Sequence, residues 1–277
     1  MVSTIEKNIQ ALPRKERRII SRVLLRKLLL GSILPIGLLI IWEIAGRNAY
    51  LNPLLLPMPS DIFYEFIYLV QYGDLLGHLQ ISTWRSLSGF VLGGGLGLLA
   101  GIIVGFSYLS ERLLNPSIQL LRMLPHLAIA PLFILWFGFG ETSKLLLIAK
   151  GSFFPLYVNT FLGIRLMDRK LFEVAKVLQF NRFNLVMKLI IPSALPNIFL
   201  GIRLSLGIAW LGLIVAEMMG STSGVGFLIN DARAMAMIST VFVGIIIFAA
   251  LGKLSDSLIL FIERKCLRWQ QNYKGVE

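Results

Sequence analysis

The chain has one cysteine, Cys266, and two histidines among 277 residues. One cysteine allows no disulfide within the chain, and no His/Cys group has the spacing of metal ligands. The chain also lacks a G-x-x-x-x-G-K-[ST] segment, the loop that holds the phosphates of ATP. We therefore expect no metal, no cofactor and no catalytic residues, and we expect that the chain does not hydrolyse ATP itself.

Charged residues are also scarce, at 15% of the chain, whereas soluble domains contain about 25%. Hydrophobic residues reach 56%, and the mean hydropathy is +0.75. A soluble domain of this length cannot bury that much apolar surface, so the composition predicts a membrane protein. The net charge of +12 could suggest nucleic-acid binding. However, the basic residues flank apolar segments, which is the orientation signal of a membrane protein.

Six apolar stretches are long enough to cross the hydrocarbon layer, which takes about 20 helical residues. They are residues 28–46, 87–108, 118–137, 145–162, 198–218 and 241–262. The first lies behind a basic leader and lacks a small-residue cleavage site, so we interpret it as a retained helix. We expect an all-α polytopic membrane protein with a leader (1–27), a six-helix domain (28–265) and a tail (266–277).

Basic residues are distributed unequally between the two sides of this topology. The leader, the tail and the loop of residues 165–195 are rich in Lys and Arg and lie on one side. The opposite side has few basic residues: Arg47, Arg85, Lys144 and Arg233. The positive-inside rule then predicts that both termini are cytoplasmic.

Glycine recurs every fourth residue through the second stretch, which places one ridge of small residues along the helix. The ridge consists of Gly89, Gly93, Gly97, Gly101 and Gly105. Such a ridge lets another helix backbone approach closely, so we predict tight helix packing there. Residues 95–100 also match G-x-G-x-x-A, but without a preceding strand the dinucleotide fingerprint is accidental.

Prolines interrupt the third and fourth stretches, at Pro125, Pro131 and Pro155. Each removes a backbone donor, and in lipid such breaks persist where neighbouring helices or a cavity satisfy the freed carbonyls. We therefore expect these two spans to line something. His126, beside the first break, either contacts a substrate or fills the break with a backbone hydrogen bond.

Other ionisable residues also lie at membrane depth: Arg122, Lys150, Arg203, Glu217 and Lys253. Such residues face the bundle interior by default and can mark a pathway. Most of them are near a span end, so side chains that extend to the interface are the alternative expectation for all but Lys150.

Two short amphipathic segments are predicted between the fourth and fifth spans. The first begins at Asp168 as N-cap and has one apolar face: Leu171, Val174, Ala175 and Leu178. The second has Phe183, Val186, Met187 and Ile190 on one face. We expect Pro192 and Pro196 to end it. From physics alone, the loop is either a membrane-surface helix pair or a docking element for a partner.

The same loop resembles the E-A-A loop of ABC importer permeases. Glu173, Ala175, Pro192 and Pro196 fall where that pattern has its acid, its second alanine and its final prolines. The resemblance implies a coupling helix that sits in a groove of a separate ATPase, with Phe172 next to the acid.

Two positions depart from this pattern. Val174 replaces the first alanine, and Gln179 replaces the glycine that usually follows the acid by six residues. If that turn is left-handed, Gln costs about 1 kcal/mol, or Asn181 adopts the conformation instead.

Further segments are similar to aliphatic sulfonate permeases: Leu124-Pro125-His126-Leu127-Ala128, Phe154-Pro155-Leu156-Tyr157 with Asn159, and Ser223-Gly224-Val225-Gly226-Phe227. The resemblance implies the type I ABC importer permease fold and the subfamily that serves sulfonates, taurine, nitrate and bicarbonate. Aliphatic sulfonates are the first expectation, and the other three anions are the alternatives.

The resemblance also implies the assembly. It would be a homodimer in the bacterial inner (plasma) membrane, with the pathway at the dimer interface, two ATP-binding subunits on the cytoplasmic face and an extracytoplasmic solute-binding protein. The candidate pathway residues are Pro125, His126, Pro131, Asn159, Ser223, Gly224 and Gly226.

A self-contained secondary transporter is the rival from another class. It would need an ion-coupling acid near mid-membrane and usually two related halves. Glu43 and Glu217 lie near span ends, and we find no internal repeat.

Overall fold

The computed structural model describes residues 14–167 and 169–271, and within these ranges every regular element is helical. The chain divides into two compact units, Met1–Glu65 and Phe66–Glu277. The all-α fold that the sequence predicts is therefore confirmed.

The first unit contains α1 (Arg14–Arg47) and the start of α2 (Pro59–Gln71). Helix α1 covers the first predicted span and the described part of the leader. The Glu43 carboxylate accepts from Arg47 Nε at 2.7 Å and from the backbone N–H of Ser60 at 3.1 Å. This carboxylate therefore joins the end of α1 to the start of α2.

The second unit begins within α2 and contains the remaining helices. They are α3 (Leu75–Phe106), α4 (Tyr108–Arg122), α5 (His126–Phe137), α6 (Glu141–Arg165), α7 (Arg169–Val177), α8 (Arg182–Leu185), a π-helical turn (Val186–Ile190), α9 (Ile191–Gly220), α10 (Val225–Ala234), α11 (Ile238–Cys266) and α12 (Arg268–Gln271).

Five helical stretches of the described chain are long and apolar enough to cross a membrane. They are Leu30–Arg47, Leu75–Phe106, Glu141–Arg165, Phe183–Gly220 and Ile238–Cys266. A shorter apolar helix, Ala128–Phe137, lies where the third span was predicted. The six predicted crossings therefore correspond approximately to five long helices and one short one.

The third predicted span, 118–137, is broken at Pro125, as the sequence predicts. Helix α4 ends at Arg122 and α5 begins at His126, with an extended Pro125 (ψ 124°) between them. Proline has no N–H for the helix ladder and disfavours a helical conformation at the residue before it. The chain therefore breaks at Pro125.

Pro131 and Pro155 do not break their helices, contrary to the expectation for these spans. Pro131 lies inside α5, and Pro155 lies inside the continuous α6. An interior proline removes one ladder hydrogen bond. Helix α6 packs against both α3 and α9, and these tertiary contacts support its helical conformation around Pro155.

The glycine ridge of α3 lies directly against α6. A Cβ added at Gly93 would overlap the carbonyl of Ala149, and one at Gly97 would overlap the carbonyl of Phe153. At Gly101 the added atom would lie 2.7 Å from Thr160 Cβ. Gly89 and Gly105 meet Ile148 and Ile164 in the same way. The two backbones are thus in contact from Gly89 to Gly101, and Gly105 contacts the side chain of Ile164.

The second amphipathic segment of the loop continues into the fifth span, so the prediction that prolines end it is wrong. Helix α8, the π-helical turn and α9 follow one another without interruption. The turn closes with Ile191 N–H donating to Val186 O, and Pro192 comes directly after it. The wider turn shifts the hydrogen-bond register just before Pro192, and the helix continues.

Candidate functional site

The break between α4 and α5 opens onto a cavity of about 500 Å³, which we call the break cavity. Its polar lining comes from three helices and the break itself: Arg122, His126, Lys150 and Asn159. Phe154, Leu204 and Ile208 provide apolar walls. Three of the predicted pathway residues, Pro125, His126 and Asn159, therefore lie around one cavity.

Lys150 satisfies the backbone of the break. Its Nζ, from the middle of α6, donates to Leu124 O at 2.9 Å. Asn159 lies two turns further along α6 and donates its side-chain amide to Pro155 O at 2.8 Å. The break is therefore stabilised by a cation from a neighbouring helix, because a carbonyl without a helical partner needs a donor in an apolar setting.

His126 is held between two glycines and does not fill the break. A Cβ at Gly151 would lie 2.9 Å from His126 Cε1, and one at Gly212 would lie 2.8 Å from Nε2. Both ring nitrogens are buried and make no hydrogen bond to any described residue. The alternative in which His126 fills the break with a backbone hydrogen bond is therefore wrong.

Pro131, Ser223, Gly224 and Gly226 are not part of the break cavity. Pro131 lies on an exposed face of α5. The other three belong to a buried polar cluster at the junction of α9 and α10, centred on Glu217. This cluster was not predicted, and the role of these three residues in the pathway stays a prediction.

Glu217 is 1% exposed, so the expectation that it extends to an interface is wrong. Its carboxylate accepts from Arg85 Nη1 at 2.9 Å, from Ser82 Oγ at 2.9 Å and from Gly226 N–H at 2.8 Å. A buried carboxylate requires such partners because desolvation without them is costly. The pair is therefore fixed inside the bundle.

Arg85, which is 3% exposed, links this cluster to the start of α6. Its Nε and Nη2 bind both oxygens of Glu141, at 2.7 and 2.6 Å. Its Nη1 also donates to Ser223 O at 2.7 Å. Such a two-point guanidinium–carboxylate contact is among the stronger hydrogen-bonded pairs.

Side chains of α3 and α9 satisfy the first N–H groups of α10. Gly224 N–H donates to His78 Nδ1 at 2.9 Å, and Val225 N–H donates to Ser82 Oγ at 2.9 Å. Gly224 has φ 107°, and a Cβ there would overlap the Glu217 carboxylate. Glycine is required at this position for both reasons.

In the predicted coupling loop, α7 presents apolar side chains to solvent. Ala175 is buried, at 4% exposure, whereas Val174 is 52% exposed and Leu178 is also exposed. Glu173 is exposed on the same short helix. The side chain of Phe172 and the whole of Asp168 lie outside the described residues.

Helix α7 ends in a left-handed turn at Gln179, which has φ 50°. Phe180 N–H donates to Ala175 O and Gln179 N–H donates to Lys176 O, both at 3.0 Å, which is the Schellman pattern. The alternative assignment to Asn181 is wrong. Asn181 instead caps α8, its Oδ1 accepting from Asn184 N–H at 2.8 Å.

Ser82 and Arg85 were not predicted to be members of a site. Both lie on one face of α3 at i and i+3, and Arg85 was counted only as a flanking charge. The sequence did contain an indication of the Arg85–Glu217 pair. An arginine inside a long apolar helix needs a buried acid as its partner, and Glu217 lies at membrane depth.

Comparison with known proteins agrees with this architecture. Residues 93–268 match the family described as binding-protein-dependent transport system inner membrane component. The chain is 56% identical over 245 residues to SsuC of Bacillus subtilis (strain 168), named for aliphatic sulfonates transport as a permease; the match covers 88% of this chain and 89% of SsuC.

A second SsuC, from Escherichia coli (strain K12), is 45% identical over 240 residues, or 87% of this chain and 91% of that protein. The taurine transport system permease protein TauC of the same strain is 30% identical over 237 residues, or 84% and 86%. The chain therefore belongs to the binding-protein-dependent transport system inner membrane components, the permeases of ABC transporters.

Proposed function

We propose that this permease imports aliphatic sulfonates. The observation that carries the proposal is the identity of 56% and 45% to two relatives named for aliphatic sulfonates, each across nearly nine tenths of the chain. The taurine permease and a bicarbonate permease of Synechococcus elongatus are only 30% identical. Taurine, bicarbonate and nitrate therefore remain the alternative substrates, in second place.

The proposed energy source is a separate ATPase that docks on the coupling loop. Exposed apolar side chains of α7, with Glu173 beside them, form a surface that a partner can cover. Because the chain contains no phosphate-binding loop, hydrolysis would take place on two such ATPase subunits. An extracytoplasmic binding protein would deliver the substrate, as the family description implies.

A self-contained secondary transporter is disfavoured by two findings. The family depends on a binding protein. In addition, Glu217, the acid deepest in the bundle among the candidates, is held by Arg85, Ser82 and a backbone N–H and is poorly placed to bind and release an ion.

The proposed setting is a homodimer in the inner membrane with both termini in the cytoplasm. The basic residues of the leader, the coupling loop and the tail support this orientation. In this arrangement the pathway lies at the interface between the two copies, the break cavity contributes to it, and the Glu217 cluster lies near the outer face.

Uptake of a labelled alkanesulfonate tests the substrate. Cells without their own sulfonate importer would express the permease with its partner ATPase and binding protein, and nitrate, bicarbonate and taurine would serve as competitors. We expect saturable sulfonate uptake that depends on all three components. Uptake of nitrate or bicarbonate without sulfonate would refute the substrate assignment.

Variants of α7 test the coupling. Glu173→Ala removes a docking contact without touching the membrane helices, and Phe172→Ala removes a ring next to it. Both are expected to reduce co-purification of the ATPase and to abolish uptake, with normal amounts of permease in the membrane. Lys253→Ala, an exposed charge on α11, is the control. Normal ATPase binding and uptake in both α7 variants would mean that the loop is a surface helix pair.

A further inference from the structure

We infer that the break cavity is a binding site for an organic oxyanion, with Arg122, Lys150 and His126 around the anionic group. The inference rests on the proposed function, since it treats the cavity as a station for the transported anion. In this site the anionic group of the ligand lies near the cationic side chains, and its alkyl chain lies against the apolar walls of the cavity.

The cavity has an excess of positive charge. Arg122 enters it from the end of α4 and Lys150 from the middle of α6, and none of the described residues that line it is acidic. Arg122 makes a weak hydrogen bond at 3.4 Å, to Gln119 of its own helix. Arg122 is exposed and Lys150 is half-buried, so both charges can be reached by an anion that enters the cavity.

Both cations have donors to offer. An ammonium group has three donors, and Lys150 uses one of them on Leu124 O. A guanidinium group has five donors. An oxyanion with two or three acceptor oxygens can therefore bind without breaking the hydrogen bond that supports the break between α4 and α5.

His126 supplies the third polar group. Its ring is fixed between Gly151 and Gly212, and both of its buried nitrogens lack a partner among the described residues. Buried polar atoms in native structures are nearly always hydrogen-bonded, and this imidazole at the cavity wall has hydrogen-bonding capacity that no described residue uses. A neutral imidazole carries one N–H that can donate to an anionic oxygen.

The apolar walls favour an organic anion over an inorganic one. Phe154, Leu204 and Ile208 line the same cavity. A volume of about 500 Å³ lies in the range of small-molecule sites and exceeds what a nitrate or bicarbonate ion needs. The alkyl chain of a sulfonate would contact these walls while its head group lies near the cations.

A thiol probe placed in the cavity measures its preference for anions. In a Cys266→Ser background, Leu204→Cys puts the thiol at a lining position that is 48% exposed. The probes are two methanethiosulfonates of similar size, one carrying an ethylsulfonate group and the other an ethyltrimethylammonium group. The measurement is the ratio of their reaction rates with the purified permease–ATPase complex.

We expect the sulfonate reagent to react faster than the cationic one. Arg122→Gln should lower the rate ratio by about fivefold or more, as expected when one charge is removed within several ångströms in a partly aqueous site. Arg122→Lys should largely restore the ratio. Lys253→Gln, which removes a charge outside the cavity, should leave it unchanged. Within residues 14–167 and 169–271, the hydrogen bond of Arg122 stays within its own helix, so this variant separates charge from folding.

Two results would overturn the inference. One is a rate ratio that does not change in Arg122→Gln and Lys150→Met when both are folded; the other is a thiol that neither reagent reaches. The probe and uptake results are separable. A charge-dependent ratio with nitrate uptake alone would leave the anion site standing and remove the proposed substrate. Normal sulfonate uptake, with a rate ratio that the charge-removing variants leave unchanged, would support the proposed substrate and remove the anion site.

Discussion

Replacing Gly101 by alanine places a methyl group between α3 and α6, where the two backbones are in contact. The new Cβ would lie 2.7 Å from Thr160 Cβ and 2.8 Å from the carbonyl oxygen of Tyr157. Ordinary contacts begin at 3.4 Å, so the gap is about 0.6 Å too small. Because one neighbour is backbone, the helices themselves must move apart.

The expected loss follows from two opposing effects. Overpacking of a tight contact costs about 1–3 kcal/mol. Alanine is a better helix former than glycine by about 1 kcal/mol, which offsets part of that cost. We therefore expect a net loss of about 0–2 kcal/mol in the free energy of unfolding relative to wild type, which corresponds to a Tm lower by up to about 8 °C for a chain of this size.

Thermal unfolding of the purified protein in detergent measures this loss, and α3 contains its own control. A Cβ added at Gly95 would meet nothing within 4 Å, so Gly95→Ala keeps the helix propensity gain without the clash. We expect Gly95→Ala to have a Tm equal to or above that of wild type. Equal Tm values for the two variants would refute the close packing of α3 on α6.

Three further predictions concern other parts of the chain. Glu217→Ala should lower the yield of folded protein, because breaking a buried pair costs about 3–5 kcal/mol, and a wild-type yield on size-exclusion chromatography would contradict this. Gln179→Gly should raise Tm slightly by removing a left-handed cost of about 1 kcal/mol, whereas Gln179→Val should lower it; the reverse order would place the turn elsewhere. In intact cells with Cys266→Ser, a cysteine at Ser221 should react with an impermeant thiol reagent and one at Ser3 should not, and labelling at Ser3 would reverse the orientation.

The features that depend on local spacing could be predicted from the sequence. The glycine ridge is visible at every fourth residue, and the apolar stretches have the length that a membrane requires. The break at Pro125 follows from the covalent structure of proline. The left-handed turn at Gln179 was one of the predicted alternatives, because Gln179 occupies the position where the E-A-A pattern usually has glycine.

Features that depend on distant partners could not be predicted in the same way. The sequence left two alternatives for Glu217, the bundle interior and the interface, and Arg85, 132 residues earlier in the chain, binds it inside the bundle. Pro155 leaves α6 intact because two other helices pack along it. Similarly, Lys150 and Leu124 meet only because α6 crosses the break, and nothing in the local sequence of either residue indicates the contact.

Because of the π-helical turn, the fifth span and the residues before it form one helical stretch. This stretch, Phe183–Gly220, has 38 residues. At about 1.5 Å per residue, this helical stretch is about 55 Å long. One end adjoins α7, and the other carries Glu217, which is tied to α3 and to the first N–H groups of α10. A tilt of about 5° about one end displaces the other by about 5 Å. Because the helix is continuous from Arg182 to Gly220, a displacement of its first turn, next to the Gln179 turn, moves the end that carries the Ser221–Gly226 segment.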